Sequence, residues 1–283
     1  MTHCRVERHH AIADLFRAVP PQLRRYTREV SVPGAGGATW TFTLPYALDD
    51  PHQTLFLTIL AQLGELRKME ENVRRIMPPE AAEMLALRGA AAQGGTYQLR
   101  TSMHALIRAC GWAPSGKRRK LVVRALEDMA AATFRISKPG VGEASGGQVL
   151  SYVALEDGRM GVAVNPYLAF GLLGKFMYAK IDLEERRQLP SATARLAHAW
   201  LSAWLRPGQH GRIKLHTLAR HIWRDHDTAP AGTVRRRHHE LAAALRTISG
   251  LRGWRITVTG AMVLAHRRRE PGQRAKFRRK KKA

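Results

Sequence analysis

The run Thr233–Ser249, TVRRRHHELAAALRTIS, decides how the chain is read. Wound at 3.6 residues per turn, it places Val234, Leu241, Leu245 and Ile248 on one stripe. Arg235, His239 and Arg246 fall on another stripe, about a right angle or more away. Thr233 is the expected N-cap and Gly250 the expected C′ residue. The product is a helix with an apolar back and a basic front. Before it lies a shorter amphipathic stretch, Lys214–Trp223 (KLHTLARHIW). After it come two strand-like runs, Trp254–Thr259 (WRITVT) and Ala261–His266 (AMVLAH), joined at Gly260. Helix, turn, basic helix, hairpin is the order of a winged helix-turn-helix, and it predicts a DNA reader.

The same order occurs earlier in the chain. Met103–Trp112 (MHALIRACGW) lies beside Leu215–Trp223 (LHTLARHIW), with Met103, Leu106, Ile107 and Cys110 matching Leu215, Leu218, Ala219 and Ile222. Each stretch ends in a tryptophan and a turn. A basic run follows each, Gly116–Arg124 (GKRRKLVVR) and Val234–His239 (VRRRHH). Each basic helix is expected to lead into a strand, Thr133–Ser137 or Trp254–Thr259. Upstream lie two apolar helices, Pro51–Gly64 and Ala192–Leu205. The expected fold is α+β, two tandem winged helix-turn-helix domains with short wing hairpins.

The domain plan follows. Residues 1–37 read as a flexible basic arm, with one short strand at Tyr26–Val32. Residues 38–165 read as the first domain, with a helical insertion near 65–95 that starts at Pro78-Pro79-Glu80. Residues 166–266 form the second domain. Residues 267–283, RRREPGQRAKFRRKKKA, read as a disordered basic tail. Within the first domain, Lys138–Gly147 is expected to be a loop. Gln148–Leu155 and Met160–Val164 are expected strands that turn at Glu156-Asp157-Gly158, a wing tip.

Charge narrows the partner. Lys and Arg number 47 against 22 Asp and Glu, a net +25, which calls for a polyanion: DNA, RNA or an acidic membrane face. No apolar run is long enough to span a bilayer, and the start, MTHCRVERHH, lacks the apolar core of a signal peptide. Cys4 and Cys110 read as reduced cytosolic thiols. The expectation is a cytoplasmic protein.

The candidate DNA-binding residues are Lys117, Arg118, Lys120 and Arg124 in the first unit. In the second they are Thr233, Arg235, Arg236, Arg237, His239, Arg246 and Arg255. Lys117, Lys120 and Arg124 share a helical face. A recognition helix reads base edges in the major groove, where a bidentate arginine–guanine contact is worth ~1–3 kcal/mol of discrimination. Most other basic groups meet phosphate and add affinity without sequence information. Arg235, Arg236 and His239 stand first among base readers, and the sequence leaves open which arginines read and which hold.

Several chemical motifs fail on inspection. Gly111–Lys117 matches a phosphate-binding G-x-x-x-x-G-K loop, but Arg118 follows where Ser or Thr should hold magnesium, and a helix precedes it. His216, His221 and His226 stand five apart and share no helical face; no C-x-x-C pair exists. No metal or other cofactor is expected. There is no His-x-His pair with a nearby tyrosine, as a nicking enzyme needs. The acidic pairs Glu70-Glu71, Glu127-Asp128 and Glu184-Glu185 read as surface. The expectation is a binding protein and not an enzyme.

One family resemblance joins these features. Ala194–His198 (ARLAH), Trp204–Gly208 (WLRPG), Gly211–Leu218 (GRIKLHTL), Ile222-Trp223, Thr233–Arg237 (TVRRR) and Gly253–Thr257 (GWRIT) resemble the RepC replication initiators of IncQ-type plasmids. Val162–Pro166 (VAVNP) also resembles that family. The resemblance implies binding to directly repeated double-stranded DNA (iterons) at a plasmid's vegetative origin. It further implies opening of an adjacent AT-rich segment, recruitment of the plasmid helicase and primase, and a bacterial cytoplasmic setting. In related two-domain initiators one domain can also mediate a homodimer. The carry-over to particular residues covers the second helix-turn-helix and its wing. The competing readings are a winged-helix transcriptional regulator and a non-specific nucleic-acid-binding protein.

Overall fold

The computed structural model describes residues 3–7, 15–19, 28–33, 37–66, 73–93, 95–169 and 178–269. The chain begins with β1 (His3–Glu7), β2 (Arg28–Pro33), β3 (Thr39–Leu44) and α1 (Asp50–Leu66). Next come β4 (Val73–Ile76), α2 (Pro78–Met84), a 3-10 turn (Gly89–Gln93), β5 (Thr96–Thr101), α3 (Met103–Ala109) and α4 (Gly116–Ala131). The middle holds β6 (Thr133–Lys138), β7 (Val141–Gln148), β8 (Leu150–Ala154), β9 (Met160–Val164), α5 (Pro166–Ala169), β10 (Tyr178–Asp182) and α6 (Leu183–Arg187). The rest is α7 (Ala192–Trp204), β11 (His210–Lys214), α8 (Leu215–Ile222), α9 (Ala231–Ser249), β12 (Trp254–Thr259) and β13 (Met262–Arg267). No described helix is long and apolar enough to cross a membrane.

The second unit forms as its periodicity dictates. Ser191 accepts the Ala194 N–H at 3.1 Å and starts α7. Leu241, Leu245 and Ile248 of α9 are fully buried, and they pack with Leu201, Leu218, Ile222, Trp254 and Val263. Each such leucine contributes ~1.5–3 kcal/mol through burial. Helix α9 starts at Ala231 behind Pro230, so Thr233 lies in the first turn and is not the N-cap. Pro230 holds the N-cap position and offers no side-chain acceptor, so no side chain caps this end. Gly250 is the C-cap, in a right-handed conformation. Strands β11, β13 and β12 close the unit in that order, all antiparallel.

The first unit repeats this frame. Its sheet runs β4-β5-β9-β8, and β5-β9-β8 stand to α3 and α4 as β11-β13-β12 stand to α8 and α9. On one rung Leu99 faces Val162, which faces Tyr152; on the other, Gly211 faces Ala265, which faces Ile256. The hairpin after α4 is therefore β8–β9. Thr133–Ser137, expected to match Trp254–Thr259, belongs to another sheet, β2-β3-β6-β7.

The expected loop Lys138–Gly147 is mostly strand β7. Its glycines serve close packing. A Cβ on Gly146 would sit 2.0 Å from the Phe134 carbonyl oxygen, and one on Gly147 would sit 2.8 Å from that of Leu85. The insertion near 65–95 holds strand β4 and two short helical pieces in place of one helix. The chain breaks at Ala86, whose φ is +47°. Its Ile76, Ala81, Leu85 and Leu87 cover Ala163, on the outer face of the first sheet. The matching face of the second sheet is open, with Arg212, Arg255, Thr257 and Leu264 exposed.

The expected boundary at residues 165 and 166 falls inside the first core, which includes Leu168, Ile181 and Leu183. Strands β1 and β2 lie in the stretch expected as an arm, and they pair with β10 and β3. Residues 15–19 stitch the two units: the Arg17 N–H donates to Leu48 O at 2.9 Å, and the Ala18 N–H to Ile222 O at 2.7 Å. The expected tail from 267 begins too early. Arg267 is buried, donates to Ser202 O at 2.8 Å and Leu205 O at 3.1 Å, and stacks on Trp254. Residues 270–283 lie outside the described residues.

Candidate nucleic-acid interface

The candidate surface rests on two helices and one strand. In the first unit, Ser102 caps α3 by accepting the Ala105 N–H at 3.1 Å. Gly111 turns the chain at φ +79°, and Ser115 caps α4 by accepting the Arg118 N–H at 3.2 Å. The Gly111–Lys117 stretch is thus a turn between two helices, where a phosphate loop would follow a strand. Val122, Leu126 and Met129 bury one side of α4. Lys117, Lys120 and Arg124 stand exposed. Arg124 Nε lies 3.7 Å from Asp128 Oδ2. Arg118 leans over the Trp112 ring at 5.2 Å and lines the cleft that Asp50, Arg186 and Arg195 also line.

In the second unit, Arg235, Arg236, His239 and Arg246 are exposed on α9, away from its buried stripe. No acidic group pairs with these four among the described residues. Thr233 is half-buried. Arg255 is exposed on the open face of β12. Arg237 departs from expectation. It is buried, its Nη2 donates to Asp225 Oδ1 and Oδ2 at 2.8 and 3.0 Å, and its guanidinium lies 5.6 Å over Trp223. The helical period explains this: Arg237 lies four residues ahead of Leu241, on the inner side. It ties α9 to the preceding turn and is not available to DNA.

Sequence reasoning missed three features here. Arg17 feels the charges of Arg28, Arg224 and Arg220, and Arg224 that of Arg28. Burial, then repulsion from Arg28 and its neighbours, lowers Arg17 to about 9. Burial and Arg28 lower Arg224 to about 10. Both stay charged at neutral pH, and all three Arg224 guanidinium nitrogens are buried without a hydrogen-bond partner among the described residues. The second feature is Glu185 of α6. It accepts the Gly253 N–H at 2.9 Å, the Trp254 Nε1–H at 3.0 Å and, at 3.1 Å, His198 Nε2. Burial raises its pKa, yet these contacts outweigh that and hold it below its ordinary value. Full burial lowers His198, which is neutral and joins as a dipole. The third is a histidine cluster in the turn before α9, treated below. A partner distant in sequence defines each, so no local pattern announces it.

The architecture is a mixed α/β protein in which a helix pair and a three-stranded frame occur twice. The RepC (replication protein C) family matches residues 83–264, which span both helix pairs, the β8–β9 hairpin and the second hairpin as far as the start of β13. The chain belongs to the RepC family of replication initiators. Among solved structures, the crystal structure of domains 2 and 3 of RctB is similar at a TM-score of 0.53, with 13% identity. It covers 94% of this chain and 100% of that one. A second structure of RctB domains 2-3 has a TM-score of 0.48 and 15% identity, covering 90% and 95%. No curated protein matches the chain.

Proposed function

We propose that this initiator binds directly repeated double-stranded DNA at a plasmid origin through two winged-helix units, with α9 and α4 entering successive major grooves. The observation that carries this reading is α9 itself: Arg235, Arg236, His239 and Arg246 project from the side opposite its buried leucines, unpaired among the described residues. Exposed Lys117, Lys120 and Arg124 supply the equivalent surface on α4. The net charge of +25 adds attraction to phosphate. Copies bound to adjacent repeats bend the duplex at a cost of ~1–6 kcal/mol per site, offset by the added contacts. That strain promotes opening of neighbouring AT-rich DNA. Helicase and primase then join, and the initiator, which can pair with a second copy, needs no catalytic group.

The test is fluorescence anisotropy of the full chain on a duplex of origin repeats and on a shuffled duplex, at ~0.15 M salt. The expected specificity ratio is about 1,000 or more. A ratio near one would identify a charge-driven, non-specific binder. Permanganate footprinting of a supercoiled origin separates binding from melting: full occupancy without reactive thymines removes the opening step.

A further inference from the structure

The turn between α8 and α9 gathers three histidines from three different elements. His216 is the second residue of α8, His226 lies in the turn, and His238 is on α9. One ring nitrogen from each lies within 4.8 Å of the others. His216 Nδ1 and His226 Nε2 are 3.2 Å apart. The ring centroids are 4.8, 5.2 and 5.9 Å from one another. The spacing argument against a metal holds for His221, which stacks on Trp200 at 4.7 Å. It does not hold for His216 and His226, because the third member arrives from another helix.

Two observations point to a ligand. His238 Nε2 is buried and has no hydrogen-bond partner among the described residues, and His226 Nε2 meets only His216 Nδ1 there. His226 is 1% exposed, so the cluster reaches below the surface. An orphaned buried nitrogen costs ~1–3 kcal/mol. Behind His216, Asp227 Oδ1 lies 3.5 Å from Nε2, and Arg220 holds the other carboxylate oxygen at 2.8 Å. A carboxylate on the far nitrogen is what orients a metal-binding imidazole, here leaving Nδ1 to face the cluster.

We propose that His216, His226 and His238 form a site for one divalent transition metal that favours imidazole, such as Zn2+, Co2+ or Ni2+. Metal–nitrogen bonds of about 2.0–2.1 Å in tetrahedral array put nitrogens about 3.4 Å apart, close to the His216–His226 spacing. Binding draws the His238 nitrogen in to the same distance, and the fourth position is left to water. The metal joins α8, the turn and α9 at one point and fixes how α9 leaves the turn. This site stands independently of the DNA-binding reading.

The test uses the untagged full chain, stripped with a chelator and titrated with Co2+. The expected result is one equivalent bound with the intense visible absorption of a tetrahedral ion, displaced by Zn2+. Zn2+ should also raise the Tm. His216→Ala removes an exposed ligand and His238→Gln a half-buried one. Each should weaken Co2+ binding by more than about 100-fold, while apo far-UV dichroism and Tm stay at wild-type values. Asp227→Asn should weaken it about 10–100-fold. Absence of the visible band in the wild-type chain overturns the proposal. So does wild-type Co2+ affinity in both histidine variants, which would place the metal on other residues.

Discussion

Arg186 Nη2 lies 2.8 Å from Asp50 Oδ1, a contact between residues 136 apart in the chain. Asp50 begins α1 in the first unit, and it also accepts Arg195 Nη2 of α7 at 2.7 Å. Arg186 and Asp50 are almost wholly buried, and burial lowers Arg186 to about 10, still charged at neutral pH. Asp50→Ala leaves that guanidinium buried and uncompensated. Removing one partner of such a pair costs ~3–5 kcal/mol. Urea denaturation should show that loss; a change under ~1 kcal/mol would mean that the contact holds nothing together.

Arginines two positions apart on α9 should separate by phenotype. Arg237→Ala should cost ~3–5 kcal/mol, because it strips Asp225 of its partner. Arg235→Ala and Arg236→Ala should change stability by less than ~0.5 kcal/mol. They should instead weaken binding to the origin repeat and relax its sequence preference, by ~1–3 kcal/mol for a base-reading residue. If Arg237→Ala left the Tm unchanged and altered specificity, the inward assignment of this residue would be wrong.

The His52 triad makes stability fall with rising pH. His52 Nδ1 lies 2.7 Å from Asp49 Oδ1, and its Nε2 lies 3.0 Å from Asp128 Oδ2. Burial pulls its pKa down, but the Asp128 and Asp49 contacts outweigh this and raise it above 6.5. A raised folded pKa contributes stability that is fully present below the unfolded value and is lost as pH rises through the folded one. His52→Gln should therefore cost more at pH 6 than at pH 9, measured by denaturant unfolding at both. An equal cost at the two pH values would refute charge on His52.

The end of the chain should divide at residue 270. Deleting 270–283 removes seven Lys and Arg and should weaken binding to all duplexes alike, with a shallower salt dependence. The Tm should not move. Deleting 267–283 also removes Arg267, with its bonds to Ser202 O and Leu205 O. That second deletion should lower the Tm by several degrees. Identical Tm values for the two truncations would show that Arg267 is dispensable to the fold.

The sequence carried the elements whose signal is local. Leu241, Leu245 and Ile248 announced α9, and Gly260 announced a hairpin. Pairing was less legible. Nothing local in Thr133–Lys138 says that its partners are β3 and β7 rather than β5. Gly146 and Gly147 read as loop because glycine needed for close approach looks like glycine needed for a turn. In the candidate interface, Arg235 and Arg236 lie outward as the helical wheel places them. Arg237 was grouped with them by charge, although the period already put it inside. The histidine cluster had no signal, since three elements meet there.

Strand β1 pairs with β10, register His3 to Asp182 and Glu7 to Tyr178. Time enters through that pairing. A ribosome adds about 5–20 residues per second, so after β1 emerges its partner follows roughly 10–30 s later. The frame from His210 to Arg267 spans only about a third of that length from its first strand to its last. The last-made unit thus closes on itself quickly, while the first-made strand waits as an open edge. A translational pause before residue 178 would lengthen that exposure, and aggregation of stalled chains would measure it.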